Sequence, residues 1–596
     1  MNAQAYSNND VSLILWNYDK KIKDCLGFNI VRENLTDNKS EPLPAWVGFE
    51  GETNPGHKSK DTSVWPIQKY NWKDLIAERD KTYKYKIIPM IGTPGNLSPI
   101  SDPAMILETN EVSISEGKGK IKAYFNRGII STQSLSNKLK KSTTGSPSLE
   151  DLKAHISVPG DDIRQSLAGE IIIAVKSLVK KAKDEGGKCY CALYELTDEE
   201  LISNLIDAKD NVEIILSNAD TSESTTDEEG TKHSKKILDG ENAATRDRLK
   251  GKGIVVHDRF VPGGHIGHNK FVIYENGSGK RESVLTVSTN WTLTGLCTQS
   301  NNALIIESEN TAENYYKYWL RLKEDTENNE SQQSEELRNS DNVVNPVKIN
   351  GFKADYWFSP NTKAKSKPKN EPDFDLDNDP HAPSDIKELF NLIGGAQKSI
   401  LFLVFQPGSP SILDKILEVQ KKNSSIFVRG AATDAKAVEN YNMELYHGDS
   451  DTPDLYDVVA ASNIKDDFAY WEKELLSAGH AIIHDKIIVI DAFTDNCVVI
   501  TGSHNLGYKA SYSNDENLCI IYGNKDLSSA YAAHVMDVYE HYRWRYILLN
   551  KGKDASGDFK AYNGLITTDK WQDKYFKAGA DTKSASPLRK DLTFFE

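Results

Sequence analysis

The chain has little of what marks a disulfide-stapled, exported or membrane-spanning protein. Its 596 residues include six cysteines, Cys25, Cys189, Cys191, Cys297, Cys497 and Cys519. They are scattered, form no CxxC pair, and in several cases sit in apolar strand-like runs where a thiol acts as a small hydrophobe. A disulfide scaffold is thereby excluded, and a reducing compartment fits. No apolar run approaches the roughly 20 residues that cross a bilayer. The opening stretch MNAQAYSNNDVSLILW lacks a basic segment followed by a long apolar one. The expectation is a cytoplasmic protein without a classical signal peptide, with non-classical export as the alternative. Positive charge is also in deficit: 72 Lys and Arg stand against 87 Asp and Glu, a net charge of -15. Such a balance repels polyanions on average and disfavours a general nucleic-acid-coating role.

What is present is ordinary globular material. Hydrophobic residues make up 38% and charged residues 27% of the chain, enough for more than one core. Residues 1–105 read as short alternating strands, VSLILW, GFNIVRE and TYKYKIIPMIG, separated by turn residues, which predicts a small β-sandwich. From residue 119 to 322 strands alternate with helical periodicity, as in IKAYF, DDIRQSLAGEIIIAVKSLVKKAK and KCYCALYEL, an α/β pattern. The polar stretch at 218–236 reads as a surface insertion and residues 323–349 as a polar linker. A second α/β region spans 350–548, and 549–596 is a C-terminal extension in which Trp571 and Tyr575 are expected to cap the domain.

The second region restarts the first. HNKFVIYE and STNWTLTGLCTQSNNALII in one half answer HDKIIVID and GSHNLGYKASYSNDENLCII in the other. His268 and His484 are 216 apart, while Asn290 and Asn505, and Asn302 and Asn517, are each 215 apart. A constant offset at three polar positions argues for internal duplication, two halves about a pseudo-twofold axis with one site at the seam.

Each half carries HxK on a strand, where period-two geometry places both side chains on one face, and an Asn in a turn some twenty residues later. Two imidazoles, two ammonium groups and two amides suit a tetrahedral phosphate. Lys270 and Lys486 neutralise it, Asn290 and Asn505 hold its oxygens, and His268 and His484 take opposite ends of an in-line displacement. Such a site calls for no metal and no cofactor.

These residues resemble the phospholipase D superfamily over about residues 119–548. HDKIIVID fits its HxKxxxxD signature as His484, Lys486 and Asp491, and GSHNLG with SNDEN fits its GSxN and NxE elements. The first copy departs: Glu275 replaces the Asp, Ser288 and Asn290 of STN stand for GSxN, and Asn301 stands where the second copy has Glu516. The departures bear on what orients His268. The resemblance implies a covalent phosphohistidine on His268, with His484 as general acid and then base, Glu516 orienting a His, and Asp491 as a structural carboxylate. The candidate site is therefore His268, Lys270, Asn290, His484, Lys486, Asn505, Asp491 and Glu516. At the N-terminus, GFNIVRE, the NWKD around Trp72 and TYKYKIIP are similar to a fibronectin type III or immunoglobulin-like module, which implies a spacer or a docking surface for a protein partner.

Simpler readings cover the remaining features. HIGHNK holds an HxxH, but no Cys or carboxylate stands at ligand spacing, so His257 and His265 read as lining the site mouth. Gly263 and Gly264 suit a tight turn. Lys176, Lys180, Lys181 and Lys183 read as a solvated helix face, and the basic KAKSKPK at 363–369 is largely cancelled by the acidic EPDFDLDNDP that follows. Trp291 and Tyr508 suit a substrate groove and a packed core equally.

The expected architecture is two phospholipase D-like α/β repeats, each a mixed sheet flanked by helices, forming one pseudo-twofold unit behind a β-sandwich. The expected activity is hydrolysis of a phosphodiester, foremost a phospholipid headgroup with phosphatidic acid as product and peripheral membrane contact. A metal-independent nuclease is the alternative, and a catalytically silent scaffold protein the third reading.

Overall fold

The computed structural model describes residues 1–52, 58–126, 128, 149–218, 221–226, 232–237, 240–328, 333–367, 376–423, 425–433, 458–460, 483–550, 564–576 and 589–596. The last two residues of KAKSKPK and the start of EPDFDLDNDP lie outside them.

The duplication expected from the offsets is written in the sheets. The first repeat is a seven-stranded sheet in the order Ile121–Phe125, Asn302–Glu307, Arg281–Val287, Lys270–Glu275, Lys188–Leu193, Val212–Asn218, Val255–Phe260. The second repeats that order as Phe352–Ser359, Glu516–Tyr522, Val498–Gly502, Lys486–Ile490, Ser399–Val404, Phe427–Ala432, Val458–Ala460, with Asn345–Ile349 added at the edge. In each, the strand carrying HxK lies at the centre, antiparallel to both neighbours, and the two strands beyond are parallel. Such strands are buried on both faces and read as continuous apolar runs, as in SILFLV and KIIVI.

Helices cover the outer faces because their apolar residues recur every three to four positions. In Ile171–Glu185, Ile171, Ile172, Ala174, Val175, Leu178, Val179 and Ala182 are buried, and the helix stops at Gly186, whose left-handed φ of 67° suits glycine. In Ile412–Lys422 the entry is fixed by Ser411 and Asp414, which satisfy each other's backbone amides as a capping box. Between the two sheets lie the helices that follow the last strand of each repeat, Glu309–Asn328 and Lys525–Asn550. Tyr315, Tyr318, Trp319 and Leu322 of the first join Tyr531, Val535, Met536 and Tyr539 of the second in one core that belongs to both repeats.

The stretch expected as a polar linker holds helix at 323–328 and 335–341 and a strand at 345–349. Its first residues complete Glu309–Asn328, and Glu335–Asp341 forms a further helix in which Arg338 and Asp341 are buried. Its charges are spent internally: Arg259 pairs with Asp325 and Asp515, Arg321 with Asp341, and Arg338 donates to Tyr512 O at 2.9 Å. At 218–236 the structure places the strands Thr221–Thr226 and Lys232–Ile237 as a hairpin.

The N-terminal unit is a β-sandwich. One sheet runs Asn2–Ser7, Ser12–Asn17, Asn71–Asp74; the other is built on Cys25–Asn34 and Thr82–Thr93, with short strands continuing to Ser113. Ser12–Asn17 is buried throughout because its faces serve different cores. Ile14 and Trp16 point into the sandwich, while Leu13 and Leu15 join the core shared by the repeats. Trp571 and Tyr575 do more than cap. Trp571 packs edge-on to Phe28 at 5.8 Å and donates its indole N–H to Cys25 O, and Tyr575 meets Tyr70 at 4.8 Å, so the C-terminal segment completes the sandwich core.

Candidate active site

The central strands deliver their HxK ends to the seam. His268 and His484 lie just before Lys270–Glu275 and Lys486–Ile490, with ring centroids 6.2 Å apart and planes at 67°. Both rings are buried, at 3% and 4% exposure. Lys270 Nζ donates to His268 O at 2.7 Å and Lys486 Nζ to His484 O at 2.6 Å, the same curl in each half. An aromatic ring backs each pair. Tyr194 meets His268 at 5.1 Å with Lys270 Nζ 5.0 Å above its ring, and Phe405 meets His484 at 5.0 Å with Lys486 Nζ at 5.2 Å. The sequence reading missed Tyr194 and Phe405. The signal was one residue past the strand end in both halves, in CALYEL and LFLVFQ.

Each imidazole is oriented from the opposite repeat. His268 Nδ1 lies 2.9 Å from Glu516 Oε2, and His484 Nδ1 lies 3.1 Å from Asn301 Oδ1. The Asn301 oxygen is identified by its surroundings: Ser288 Oγ also donates to it, while Asn301 Nδ2 donates to Gly295 O and Gln299 O. His484 Nδ1 must therefore carry the proton of that contact. The departure at Asn301 thus falls on His484, and His268 keeps its carboxylate. Two short parallel bridges, Ile266 with Asn514 and Ser300 with Ile483, bring these residues across the seam. Arg259, itself buried, grips Asp515 beside Glu516 at 2.7 and 3.1 Å.

Asn302 and Asn517 form the seam's second layer. Asn302 donates to Asp485 Oδ1 at 2.9 Å and accepts from Thr501 and Tyr531. Asn517 donates to Asn269 Oδ1 at 3.1 Å and accepts from Thr286 and Tyr315. Their shared offset in sequence marks how the halves are joined.

Asn290 and Asn505 follow the strands that flank the HxK strands. Phe271 pairs with Thr286 and Ile488 with Ile500, so the chain beyond Val287 and Gly502 runs alongside the two histidines. The turn at Gly502 needs glycine: φ is 142° and a Cβ would fall 2.3 Å from Asn517 O. Asn290 Nδ2 donates to Glu195 Oε2 at 2.6 Å, and the Oδ1 atoms of Asn290 and Asn505 are buried without a partner among the described residues.

Asp491 stands apart from this cluster. It follows the far end of Lys486–Ile490, roughly 20 Å from His484 at the rise of a strand. There its carboxylate accepts from the backbone amides of Gln397, Lys398 and Ser399. It ties strand ends together, as the resemblance implied for a structural carboxylate, and its place among the reacting groups is corrected accordingly. Glu275, its counterpart, pairs with Arg281 at 3.1 Å. His257 also lies elsewhere than the site mouth, between Glu213 at 3.0 Å and Glu327 at 2.9 Å, and His265 meets Gln333 at 2.6 Å. Among the described residues no group of three or more His, Cys, Asp or Glu is assembled as a metal site. Trp291 and Tyr508 are buried in the cores of the first and second repeat.

Burial dominates the electrostatics. It lowers the His268 imidazole to about 4 even against the pull of Glu516. It drives His484 well below its usual value, helped by Lys486, Lys270 and His268. It brings Lys270 to about 7, with Glu516 and Glu195 opposing, and holds Lys486 well below the lysine range with Lys270 adding to the effect. Burial would raise Glu516, but His268, His504 and Lys270 outweigh it and keep the carboxyl ionised. Among the described residues, Glu516 is the carboxylate hydrogen-bonded to one of these two imidazoles, with Glu195 acting on Lys270 and Asp485 on Lys486. An anion placed between the rings restores the charges that burial suppresses.

The family described as "Cardiolipin synthase, PLD-like domain" matches residues 175–323 and 389–538, half of the chain. The chain belongs to this phospholipase D-like family. No curated protein sequence matches the chain. Among solved structures, this phospholipase D-like protein is similar to a polyphosphate kinase from Porphyromonas gingivalis, at 11% identity over 61% of this chain and 48% of that one, with a TM-score of 0.33. It thus spans about half the length of that kinase. It is also similar to a phosphatidylserine synthase from Haemophilus influenzae Rd KW20, at 13% identity over 63% and 85% of the two chains, with a TM-score of 0.38. A third is the phospholipase D family member Nuc from Salmonella typhimurium, at 22% identity over 25% and 84%, with a TM-score of 0.19. Among the described residues no helix is long and apolar enough to cross a membrane.

Proposed function

We propose that this protein is a phosphodiesterase that cleaves a phospholipid headgroup ester, giving phosphatidic acid, through a phosphohistidine on His268. The observation that carries this reading is the pair of buried imidazoles 6.2 Å apart, each tethered through Nδ1 and flanked by a lysine. A single phosphoryl group fills such a gap, with an imidazole at each apical position.

With its Nδ1–H given to Glu516, His268 presents the Nε2 lone pair. That nitrogen attacks phosphorus while the bond to the leaving oxygen breaks, and His484 Nε2–H protonates that oxygen as it departs. Neutral His484 then takes a proton from water, whose oxygen attacks the phosphohistidine and releases His268. Lys270, Lys486, Asn290 and Asn505 carry the charge on the equatorial oxygens. The unequal tethers support this division of labour. A carboxylate behind His268 increases its nucleophilicity, whereas the neutral amide of Asn301 leaves the His484 proton easier to give away.

The net charge of -15 favours a lipid ester over a nucleic acid. The test offers phospholipid vesicles and single- and double-stranded DNA to the wild type and to His268→Ala, without added metal, and reads the products by mass spectrometry. Phosphatidic acid, or a transphosphatidylated alcohol, formed by the wild type alone supports the proposal. Shortened oligonucleotides would replace it with a nuclease, and no product from either substrate would leave a silent scaffold.

A further inference from the structure

The two halves match closely enough that one mismatch beside the phosphate position stands out. Leu193 pairs with Lys270 and Val404 with Lys486, so the residues that follow occupy equivalent places. Tyr194 answers Phe405, and Glu195 answers Gln406. Gln406 is exposed, whereas Glu195 is half-buried and bonded to the amide of Asn290. Of these two matched positions, only the one on the His268 side therefore carries a carboxylate, held against Asn290. No part of the duplication requires it there.

We infer that Glu195 is a specificity-determining residue, which penalises a doubly charged phosphoryl group and so directs the site to singly charged phosphodiesters. The inference rests on the proposed phosphate site. Its physical basis is that Lys270 and Asn290, assigned to the equatorial oxygens, face Glu195 from the other side. A second negative charge on the ligand meets the carboxylate beside the buried His268 and Lys270, where Coulomb terms are stronger than in water. The groups facing Glu195 are Tyr194 and Asn290, which hydrogen-bond to it, Lys270, which stabilises its charge, and Glu241, which opposes it. Burial is the largest influence and raises its carboxyl above the usual range.

The repulsion scales with ligand charge, so removing Glu195 has to help a dianion more than a monoanion. The probes are dimethyl phosphate, with one charge, and methyl phosphate, with close to two at pH 7.5. Their binding to the full chain is measured calorimetrically for wild type, Glu195→Gln and Glu195→Ala, with circular dichroism to establish that each variant is folded. The expected result is a gain of about threefold for dimethyl phosphate and about tenfold for methyl phosphate in both variants, since doubling the charge doubles the free energy and squares the ratio. Equal gains for the two probes, or none, overturn the role of Glu195. If neither probe binds any of the three proteins, the phosphate site itself is overturned, a result distinct from the first.

Discussion

His268 is held by Glu516, 248 positions away in the other repeat, at 2.9 Å. His484 is held reciprocally by Asn301, 183 positions away. Neither half therefore contains a complete tethered histidine: each supplies a ring and borrows the group that orients it.

Glu516→Gln keeps the shape and removes the charge behind the nucleophile. We expect kcat to fall by about 10²–10³ while the thermal transition moves little, because Gln still accepts from His268 Nδ1–H. Steady-state kinetics beside a melting curve check this, and unchanged kcat would exclude Glu516 as the orienting group.

Asn301→Asp makes the second tether resemble the first. A carboxylate there favours protonated His484, so the alkaline limb of the pH–rate profile, where the general acid is lost, should move up by about one unit. The profile measured on an ester with a poor leaving group is the check. With an activated leaving group that needs no proton, the shift should vanish.

His268→Ala and His484→Ala should each lower turnover by orders of magnitude with the fold retained, and they should differ in what they trap. In His484→Ala an activated ester can still phosphorylate His268, but the base for hydrolysis is gone. Intact-mass spectrometry should find the adduct on that variant and none on His268→Ala. Near-normal activity in either variant would falsify the assignment.

Lys270 provides a pH test of binding. Burial holds it at about 7 in the free protein, and an arriving anion favours its charged form. Above pH 7 the lysine must take up a proton as ligand binds, so affinity should fall by up to about tenfold per unit, while below pH 7 this group adds no slope. Calorimetry of dimethyl phosphate binding in two buffers of different ionisation enthalpy measures the uptake directly.

Asp491→Ala separates structure from chemistry. Losing the acceptor of three backbone amides should cost about 2–4 kcal/mol of stability, while activity per folded molecule stays at the wild-type level. Denaturant unfolding and kinetics on the same sample check the two halves of the statement.

The sequence carried the duplication well, because HxK and the trailing Asn residues recur at a fixed offset and the strands between them are plain apolar runs. It did not carry the exchange of Glu516 and Asn301, since pairing across the seam has no local spacing to betray it. Glu195 carries no signal of its own within KCYCALYEL, and only the paired strands set it beside its counterpart Gln406. The segment read as a linker misled for a physical reason. Asp325, Arg338 and Asp341 bury their charges in ion pairs and hydrogen bonds, so residues 323–341 look like a solvated stretch although the apolar stripe of Glu309–Asn328 ends just before them at Leu322. Trp571 and Tyr575 were visible as aromatics, but their target lies some 500 residues upstream.

That last contact sets an order of events during synthesis. Gln572 fills the buried polar end of the sandwich, bonding to Ile22 and Tyr70, and Asn17 donates to Leu592 O at 2.7 Å. Residues 1–113 therefore emerge with a gap in their core, and both repeats must be translated before the closing segment arrives. A chain stopped shortly before Trp571 would hold both repeats and still carry an unfinished, sticky N-terminal unit. Closure of the sandwich thus waits on residues 565–592, so a molecule that holds them is distinguishable from one that lacks them to chaperones and proteases.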